Sequence, residues 1–463
     1  MTAHNSNLDL TTLSAAALTD KLRAGELTPK DVANAFYERI HRLNPELGAF
    51  TYIAEDAAEN PPSTDTILAG LPQAAKDIWD VAGQPTTHGT AALPNYVPEA
   101  DSPAMAALRD AGATFLGKTQ VPEFALNAYS ENLVAPPSRN PLDPERTSGG
   151  SSGGTAAAVA ARMLPAALGN DGGGSIRIPA AACGLIGLKP SRGTVPADQA
   201  GIQPEVLGTV AQLACTGPLA RNAEDAGLLM DALMGRTDGH YRQAGRAGTG
   251  DDFTAGTLSV GVSTATPFTP DIDITVNWRA LTALSRAAVQ LSQDGHTVAE
   301  ANIRYQPGYA EYFTTVWTSA LQRDPIPGLQ VDKLTELTAS FVRQSAGYTQ
   351  ANMDHAMAEL TALAEDAVAQ LGHYDVVLTP MLAMVPPKIG AFTELSGPED
   401  YRLQCQFTPY TSMVNVFGLP AISVPVFQEP TSELTWSVQL IGRTGSEAQL
   451  LMLAGRLHSQ LMG

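Results

Sequence analysis

The chain has little cysteine and no long apolar run, and both features exclude whole classes of protein. Its 463 residues include 3 cysteines. These lie far apart without a C-x-x-C pair, so neither a disulfide framework nor a zinc ribbon is expected. No uncharged apolar run reaches the roughly 18 residues that a membrane-spanning helix needs. The N-terminus has no basic segment followed by an apolar one, so no signal peptide is predicted. We therefore expect a soluble, cytoplasmic protein with no membrane contact.

The chain also has no linker, no repeat and no metal-binding motif. Without a Pro/Ser-rich boundary, residues 1–463 are expected to form one large α/β domain. The 8 histidines form neither an H-x-x-x-H pair nor a cluster with acidic residues, so no metal is expected. His88 is interpreted as a residue that lines the site and not as a base. The net charge of −19 disfavours binding to nucleic acid, and a solvated surface accounts for it.

Glycine, in contrast, is concentrated in one stretch. Residues 147–178 read TSGGSSGGTAAAVAARMLPAALGNDGGGSIRI. Two segments rich in glycine and serine flank a predicted helix over 155–162 and a predicted short strand over 164–168. Glycine loses the most backbone entropy on folding, so this density indicates unusual backbone angles or close backbone approach.

Three interpretations of this stretch compete. A phosphate-binding loop would need G-x-x-x-x-G-K-[ST] or G-x-G-x-x-G, and no lysine lies between 119 and 188. A flexible spacer would not enclose an alanine-rich helix. The third interpretation is nucleophilic catalysis, in which the N–H groups of Gly172, Gly173, Gly174 and Ser175 converge on an oxyanion beside a hydroxyl. Such a hydroxyl needs a base within hydrogen-bond reach.

The stretch resembles the signature of the amidase signature family, whose members are serine hydrolases with a Ser–cis-Ser–Lys triad. In that family the first serine of GGSSGG bridges, and the serine of D-x-G-G-S-I-R attacks the substrate. The family separation of 24 residues is reproduced by Ser151 and Ser175, and the family lysine, 75 residues earlier, falls on Lys76. The resemblance runs from the N-terminal helices to the final VQLIGR. The peptide bond that is cis in the family corresponds to Gly150–Ser151.

Lys76 lies in an apolar segment, LPQAAKDIW, in a chain that contains only seven lysines. By itself this segment suggests a lysine that extends from a strand end toward water. A buried ammonium is costly, and burial lowers the pKa of lysine. Combined with the two serine segments, this environment predicts a lysine that acts as a base.

Further residues are assigned by the motif. Asp171 and Arg177 are expected to pair and brace the nucleophile loop, and Ser152 is expected to support it. Asn170 and Gly172 stand where many members have threonine. That departure keeps the backbone N–H donors and so leaves the chemistry intact.

The proline-rich loop before Ser151 is expected to line the site because it leads directly into the bridging serine. Here the chain has EFALNAYSEN where the family commonly has EFAMGSSTEN. The candidate substrate contacts on this loop are Phe124, Ala125, Tyr129 and Ser130. Tyr129 replaces a small residue and is either a packing residue or a substrate contact.

The resemblance implies the amidase signature fold, a large twisted mixed β-sheet covered by helices on both faces. The signature core is expected over about 70–235 and a variable, substrate-determining region over about 300–375. Within the latter, aromatic residues at near-helical spacing are interpreted as core. They are Tyr305, Tyr309, Tyr312, Phe313 and Trp317.

The implied function is cleavage of a small-molecule carboxylic amide to an acid and an amine through a serine acyl-enzyme, without a cofactor. The resemblance is compatible with a homodimer. Two alternatives keep the chemistry: the glutaminase subunit of a tRNA-dependent amidotransferase, and a hydrolase of carboxylated, urea-like amides within an assembly of several subunits. A non-catalytic scaffold is disfavoured because all three triad positions are intact. The motifs leave open which acyl and amine groups are accepted and whether esters are cleaved.

Overall fold

The computed structural model describes residues 9–199, 213–250, 256–323 and 326–463. Parts of the predicted signature core (200–212) and variable region (324–325) therefore lie outside the described residues. The helices are α1 (Ala15–Arg23), α2 (Pro29–Leu47), α3 (Pro103–Asp110), α4 (Gly153–Ala160), α5 (Arg177–Ala182), α6 (Pro196–Gln199), α7 (Ala223–Leu233), α8 (His240–Ala247), α9 (Trp278–Gln293), α10 (Tyr309–Thr318), α11 (Ala320–Arg323), α12 (Glu336–Ser345), α13 (Gln350–Leu371), α14 (Gly397–Phe407), α15 (Ser412–Phe417) and α16 (Glu447–Met462). The strands are β1 (Phe50–Ile53), β2 (Pro72–Lys76), β3 (Thr114–Thr119), β4 (Arg139–Asn140), β5 (Asp143–Thr147), β6 (Ala166–Asp171), β7 (Ile186–Lys189), β8 (Cys215–Ala220), β9 (Ser259–Val262), β10 (Thr297–Glu300), β11 (Val376–Pro380), β12 (Ala421–Gln428) and β13 (Thr435–Gly442).

The first two helices begin at capping residues that the sequence supplies. The side chain of Ser14 accepts a hydrogen bond from the Ala17 N–H, and Thr28 caps α2 just before Pro29. A hydroxyl at the N-cap satisfies a backbone donor that has no partner within the helix, and proline suits the first helical position.

Eight strands form one mixed sheet in the order β10-β9-β11-β13-β12-β7-β8-β6. The pairs β10–β9 and β9–β11 are parallel, and every later pair in this order is antiparallel. A second, three-stranded sheet has the order β1-β3-β2. The mixed sheet predicted from the family resemblance is confirmed.

Helices cover both faces of the large sheet. Val376 and Leu378 of β11 belong to one hydrophobic cluster, whereas Val377 between them belongs to another. Alternate side chains of a strand point to opposite faces, so these clusters lie on the two sides. Helices α9 and α16 contribute to the first cluster, and α10, α13 and α15 contribute to the second.

The two sheets meet beside the glycine-rich stretch. The Gln73 side chain on β2 donates to the Ala166 carbonyl on β6 at 3.0 Å. Strand β6 begins two residues later than predicted and ends three residues later, at Asp171, directly before the second glycine cluster. The C-terminal ends of β2 and β6 therefore lie on the two sides of the candidate active site.

Candidate active site

Lys76 ends strand β2, and its side chain is completely buried. Its Nζ lies 2.7 Å from Ser151 Oγ and 3.2 Å from the Asn170 carbonyl oxygen. Burial lowers the pKa of Lys76 to about 7, although the nearby Asp171 carboxylate opposes the shift. A large share of Lys76 is therefore neutral near pH 7, and a neutral amine can accept a proton.

Ser151 follows a cis peptide bond, Gly150–Ser151. Gly150 packs so tightly against the preceding loop that an added Cβ would lie 2.6 Å from the Tyr129 nitrogen and 2.7 Å from the Asn127 oxygen. Only glycine fits such an approach. The Ser152 N–H donates to the Ser175 carbonyl oxygen at 3.2 Å. The two serine segments are thus joined through their backbones.

The loop after β6 carries Ser175 at the surface of a cavity. Within the described part of the chain, the N–H groups of Gly172, Gly173 and Ser175 donate to no acceptor. The Gly174 N–H, in contrast, donates to Asp171 Oδ1 at 2.7 Å. This corrects the predicted set of oxyanion donors, because the Gly174 donor is already used. A Cβ at Gly174, where φ is +128°, would lie 2.5 Å from Thr411 Oγ1.

Asp171 and Arg177 form a fully buried bidentate ion pair. Arg177 Nε lies 2.9 Å from Asp171 Oδ2, and Nη2 lies 2.9 Å from Oδ1. Burial raises the pKa of Asp171, but the Arg177 guanidinium, together with Lys189 and Asn415, outweighs burial and holds the pKa well below its usual range. Arg177 also donates to Gln439 Oε1 and Asn415 Oδ1, each at 2.6 Å. Sequence reasoning missed these two partners, since they lie more than 230 residues away and belong to no local motif.

A cavity that opens to solvent lies in front of Ser175. The described residues that line it are neutral, and most of them are apolar or aromatic. They are Leu126, Asn127, Ala128, Gly173, Ser175, Ile178, Phe268, Phe313, Trp317, Tyr401, Gln404, Cys405, Thr408 and Ser412. Of the five aromatic residues interpreted as core, Tyr309, Phe313 and Trp317 are buried, whereas Tyr305 and Tyr312 are half-buried. Phe313 and Trp317 also form part of the cavity wall, which their interpretation as core did not anticipate.

The predicted loop contacts lie beside this lining and not in it. Tyr129 stacks on Phe392 at 4.4 Å between ring centroids, and its hydroxyl donates to Asp400 Oδ2 at 2.6 Å. Ser130 Oγ accepts from the Gly153 N–H at 3.2 Å. Phe124 and Ala125 form a tight turn with φ of +51° and +58°.

His88, also predicted to line the site, is half-buried and lies outside this lining. Its carbonyl accepts from the Phe124 N–H at 2.8 Å. The next residues along the loop, Leu126 to Ala128, line the cavity instead, because the turn at Phe124 and Ala125 changes the direction of the chain.

Among the described residues, no group of three or more His, Cys, Asp or Glu side chains could hold a metal ion. No described helix combines the length and the apolar character needed to cross a membrane.

A buried lysine in contact with one serine, beside a second serine on an N–H-rich loop, is the arrangement expected of a serine-dependent hydrolase. The family described as Amidase matches residues 31–451, and the chain belongs to this amidase signature family. It is 35% identical over 470 residues to AmiB2 of Mycobacterium tuberculosis, which bears an amidase name; the match covers 97% of this chain and 96% of that protein. The protein is an amidase.

Other relatives have more specific names. A glutamyl-tRNA(Gln) amidotransferase subunit of Carboxydothermus hydrogenoformans is 32% identical, and the match covers 96% of this chain and 97% of that protein. The solved structure of 6-aminohexanoate cyclic dimer hydrolase superimposes with a TM-score of 0.86 at 27% identity, covering 98% of both chains.

Proposed function

We propose that the protein cleaves carboxylic amides through a Ser175 acyl-enzyme, with Ser151 and Lys76 as the proton relay. The observation that carries the proposal is the 2.7 Å contact between Lys76 Nζ and Ser151 Oγ. Neutral Lys76 accepts the proton of Ser151 as Ser151 takes the proton of Ser175. Ser175 Oγ then forms a bond to the carbonyl carbon, and the carbonyl oxygen becomes an oxyanion.

The oxyanion is held by the backbone N–H groups of Gly172, Gly173 and Ser175. Loss of one such donor typically lowers the rate about 100- to 1000-fold. Ser151 returns the proton to the leaving nitrogen, the C–N bond breaks, and the amine departs. Water then attacks the acyl-enzyme by the same relay and releases the acid. Asp171 supports the loop by fixing the Gly174 N–H and pairing with Arg177.

The test is Ser175→Ala, which should fold and lose essentially all amide hydrolysis. A fluorophosphonate should label Ser175, and the adduct should appear there in mass spectrometry. Retention of more than about a thousandth of the wild-type kcat, or labelling at another residue, would show that Ser175 is not the nucleophile.

We propose further that the substrate is uncharged and carries an apolar or aromatic acyl group. Among the described residues, the cavity lining contains no ionised side chain, and burial raises the pKa of the Cys405 thiol to about 12, so that it stays neutral. A charged group in such a cavity would lose its hydration without gaining a partner. Anilides and aliphatic amides of hydrophobic acids should therefore have the highest kcat/KM in a panel that includes amino-acid amides and esters.

The same argument counts against the two alternatives. The Carboxydothermus relative is named as part of an amidotransferase, and a glutaminase must bind an ammonium and a carboxylate. A carboxylated urea also carries a carboxylate. Rapid hydrolysis of glutamine, or co-purification with a tRNA-binding partner, would favour the amidotransferase. Hydrolysis of a carboxylated urea would favour the second alternative, the hydrolase of carboxylated, urea-like amides.

Three further expectations remain proposals: one folding unit over residues 1–463, a cytoplasmic location, and no binding to nucleic acid. The three described cysteines are free and buried, which suits a reducing compartment. A single cooperative unfolding transition would support one unit. Sedimentation velocity would decide whether a homodimer forms.

A further inference from the structure

The loop of residues 127–130 lies against the serine of the proposed proton relay, on both sides of it in sequence. Gly150 precedes Ser151, and an added Cβ at Gly150 would lie 2.6 to 2.8 Å from backbone atoms of this loop. Gly153 follows Ser151, and its N–H donates to Ser130 Oγ at 3.2 Å. Because such close contacts leave little room for adjustment, the position of the loop determines where Ser151 can lie.

Helix α14 holds the same loop through a set of three hydrogen bonds. Gln404 Oε1 accepts from the Ala128 N–H at 2.8 Å. The Tyr129 hydroxyl donates to Asp400 Oδ2 at 2.6 Å. Gln404 Nε2 donates to Asp400 Oδ1 at 2.8 Å, because the two side chains lie one turn apart on the same face of the helix. We call Tyr129, Asp400 and Gln404 the clamp.

The clamp is buried, and its hydrogen bonds define one arrangement. Tyr129 and Asp400 are each 2% exposed, and Gln404 is 6% exposed. The Gln404 amide has a fixed orientation, because the Ala128 N–H requires its oxygen and the Asp400 carboxylate requires its nitrogen. A hydrogen bond to a carboxylate is stronger than one between neutral groups, and loss of a donor leaves a buried charge less well satisfied. The clamp therefore holds the loop in one position.

The clamp includes the residue by which this loop departs from the family sequence. Tyr129 stands where members commonly have a small residue, and its ring stacks on Phe392 at 4.4 Å between centroids. The hydroxyl at the far end of that ring reaches Asp400, a distance that a serine side chain would not span. The contact between the loop and α14 therefore depends on the tyrosine.

We propose that the clamp positions Ser151 for proton transfer to the leaving nitrogen, so that its three members are positioning residues. In the proposed function, on which this inference rests, Ser151 takes the proton of Ser175 and returns it to the nitrogen as the C–N bond breaks. Such a transfer requires heavy atoms about 2.6–3.2 Å apart. A displacement of Ser151 by about 1 Å would slow the reaction by up to about 100-fold.

Loss of the clamp should affect two kinds of leaving group differently. An alkyl amine leaves only with a proton, whereas a nitrophenolate is a stable anion and leaves without one. Both substrates need the attack of Ser175, so a misplaced Ser151 slows both reactions, but it slows the reaction of the amide further. The amide-to-ester ratio of kcat/KM therefore reports the proton transfer and not the amount of folded enzyme.

The experiment measures this ratio for an alkyl amide and the nitrophenyl ester of the same acid at pH 8. Asp400 is ionised there, because burial raises its pKa only to about 6. Tyr129→Phe removes the hydroxyl and should lower the amide-to-ester ratio about 3- to 10-fold, as for one lost hydrogen bond. Asp400→Leu should lower the ratio at least as far. Asp400→Asn can still accept from Gln404 and donate to the tyrosine oxygen, so its ratio should stay within about twofold of the wild-type value.

Tyr37→Phe is the matched control, because it also removes a buried tyrosine hydroxyl, which donates to the Ala54 carbonyl outside the relay and the clamp. Its amide-to-ester ratio should equal that of the wild type. An unchanged ratio in Tyr129→Phe would overturn the proposal, and so would an equal drop in the control or a drop in Asp400→Asn as large as in Asp400→Leu. If Tyr129→Phe does not fold, an unchanged ratio in Asp400→Leu overturns it. Ser175→Ala separates the two claims: activity retained there refutes the proposed function, whereas inactivity there with an unchanged ratio in Tyr129→Phe refutes only this inference.

Discussion

The burial of Lys76 predicts the shape of the pH–rate profile. With a pKa of about 7, about one tenth of Lys76 is neutral at pH 6, about half at pH 7 and about nine tenths at pH 8. The kcat/KM should therefore rise roughly tenfold from pH 6 to pH 8 and reach a plateau. A lysine with its ordinary pKa of about 10.4 would give a rise of about 100-fold over the same interval, with no plateau below pH 10.

The assay is initial-rate hydrolysis of a neutral amide from pH 5.5 to 9.5 at constant ionic strength. The apparent pKa belongs to the coupled Ser–Ser–Lys unit and not to one side chain. Lys76→Arg provides the control, because a guanidinium stays protonated throughout this range and should be almost inactive. A profile that rises without a plateau to pH 9.5, or a nearly active arginine variant, would refute the assignment of Lys76 as the base.

Stability gives a second measure of the same pKa. Lys76 has a lowered pKa in the folded state, so the unfolded chain binds more protons between about pH 7 and 10.4. The free energy of unfolding should therefore rise with pH across this window. The destabilisation caused by burying a protonated lysine is complete below about pH 7 and absent above about pH 10.4. Relative to Lys76→Met, the wild type should gain about 1.4 kcal/mol per pH unit between pH 8 and 9.5. Urea denaturation of both proteins at several pH values measures this difference, and parallel curves would contradict a lowered pKa.

Three other outcomes are expected. Arg177→Met should destabilise the protein by about 3–5 kcal/mol in urea denaturation, because it leaves the Asp171 carboxylate buried without its partner; a loss below about 1 kcal/mol would show that other donors suffice. Trp317→Ala enlarges the cavity beside Gly173 and should shift the ranking of acyl groups by kcat/KM toward bulkier ones, by about 1–3 kcal/mol; an unchanged ranking would remove Trp317 from acyl recognition. EDTA should leave activity unchanged, and inhibition that added zinc or manganese reverses would contradict the metal-free mechanism.

Part of the fold and the central contact of the site could be predicted from the sequence. The resemblance to the family motif placed Lys76, Ser151 and Ser175 in one site, and the structure brings Lys76 Nζ to 2.7 Å from Ser151 Oγ. The capping residues Ser14 and Thr28 mark the starts of α1 and α2, and such signals can be read from sequence because they lie within a few residues of each helix.

The parts that sequence could not predict depend on contacts between distant segments. Whether the Gly174 N–H is free depends on where the Asp171 carboxylate turns, and that orientation is fixed by Arg177 and Asn415. The place of Tyr129 depends on Phe392 and Asp400, which are more than 260 residues away along the chain. The sequence patterns of the short hairpin of β4 and β5 and of strand β8 are also weak signals for a strand. A strand is stabilised largely by packing against neighbouring strands, which the local sequence does not reveal.

The buried partners of Arg177 determine when the site can form. The guanidinium needs Asn415 and Gln439, which lie 238 and 262 residues further along the chain. During synthesis the whole signature stretch leaves the ribosome long before these residues exist. Until then the Asp171–Arg177 pair must remain hydrated, because burying it with unsatisfied donors is unfavourable. The nucleophile loop thus acquires its final shape only after Asn415 and Gln439 have been synthesised, and a shorter nascent chain carries the motif without a completed site.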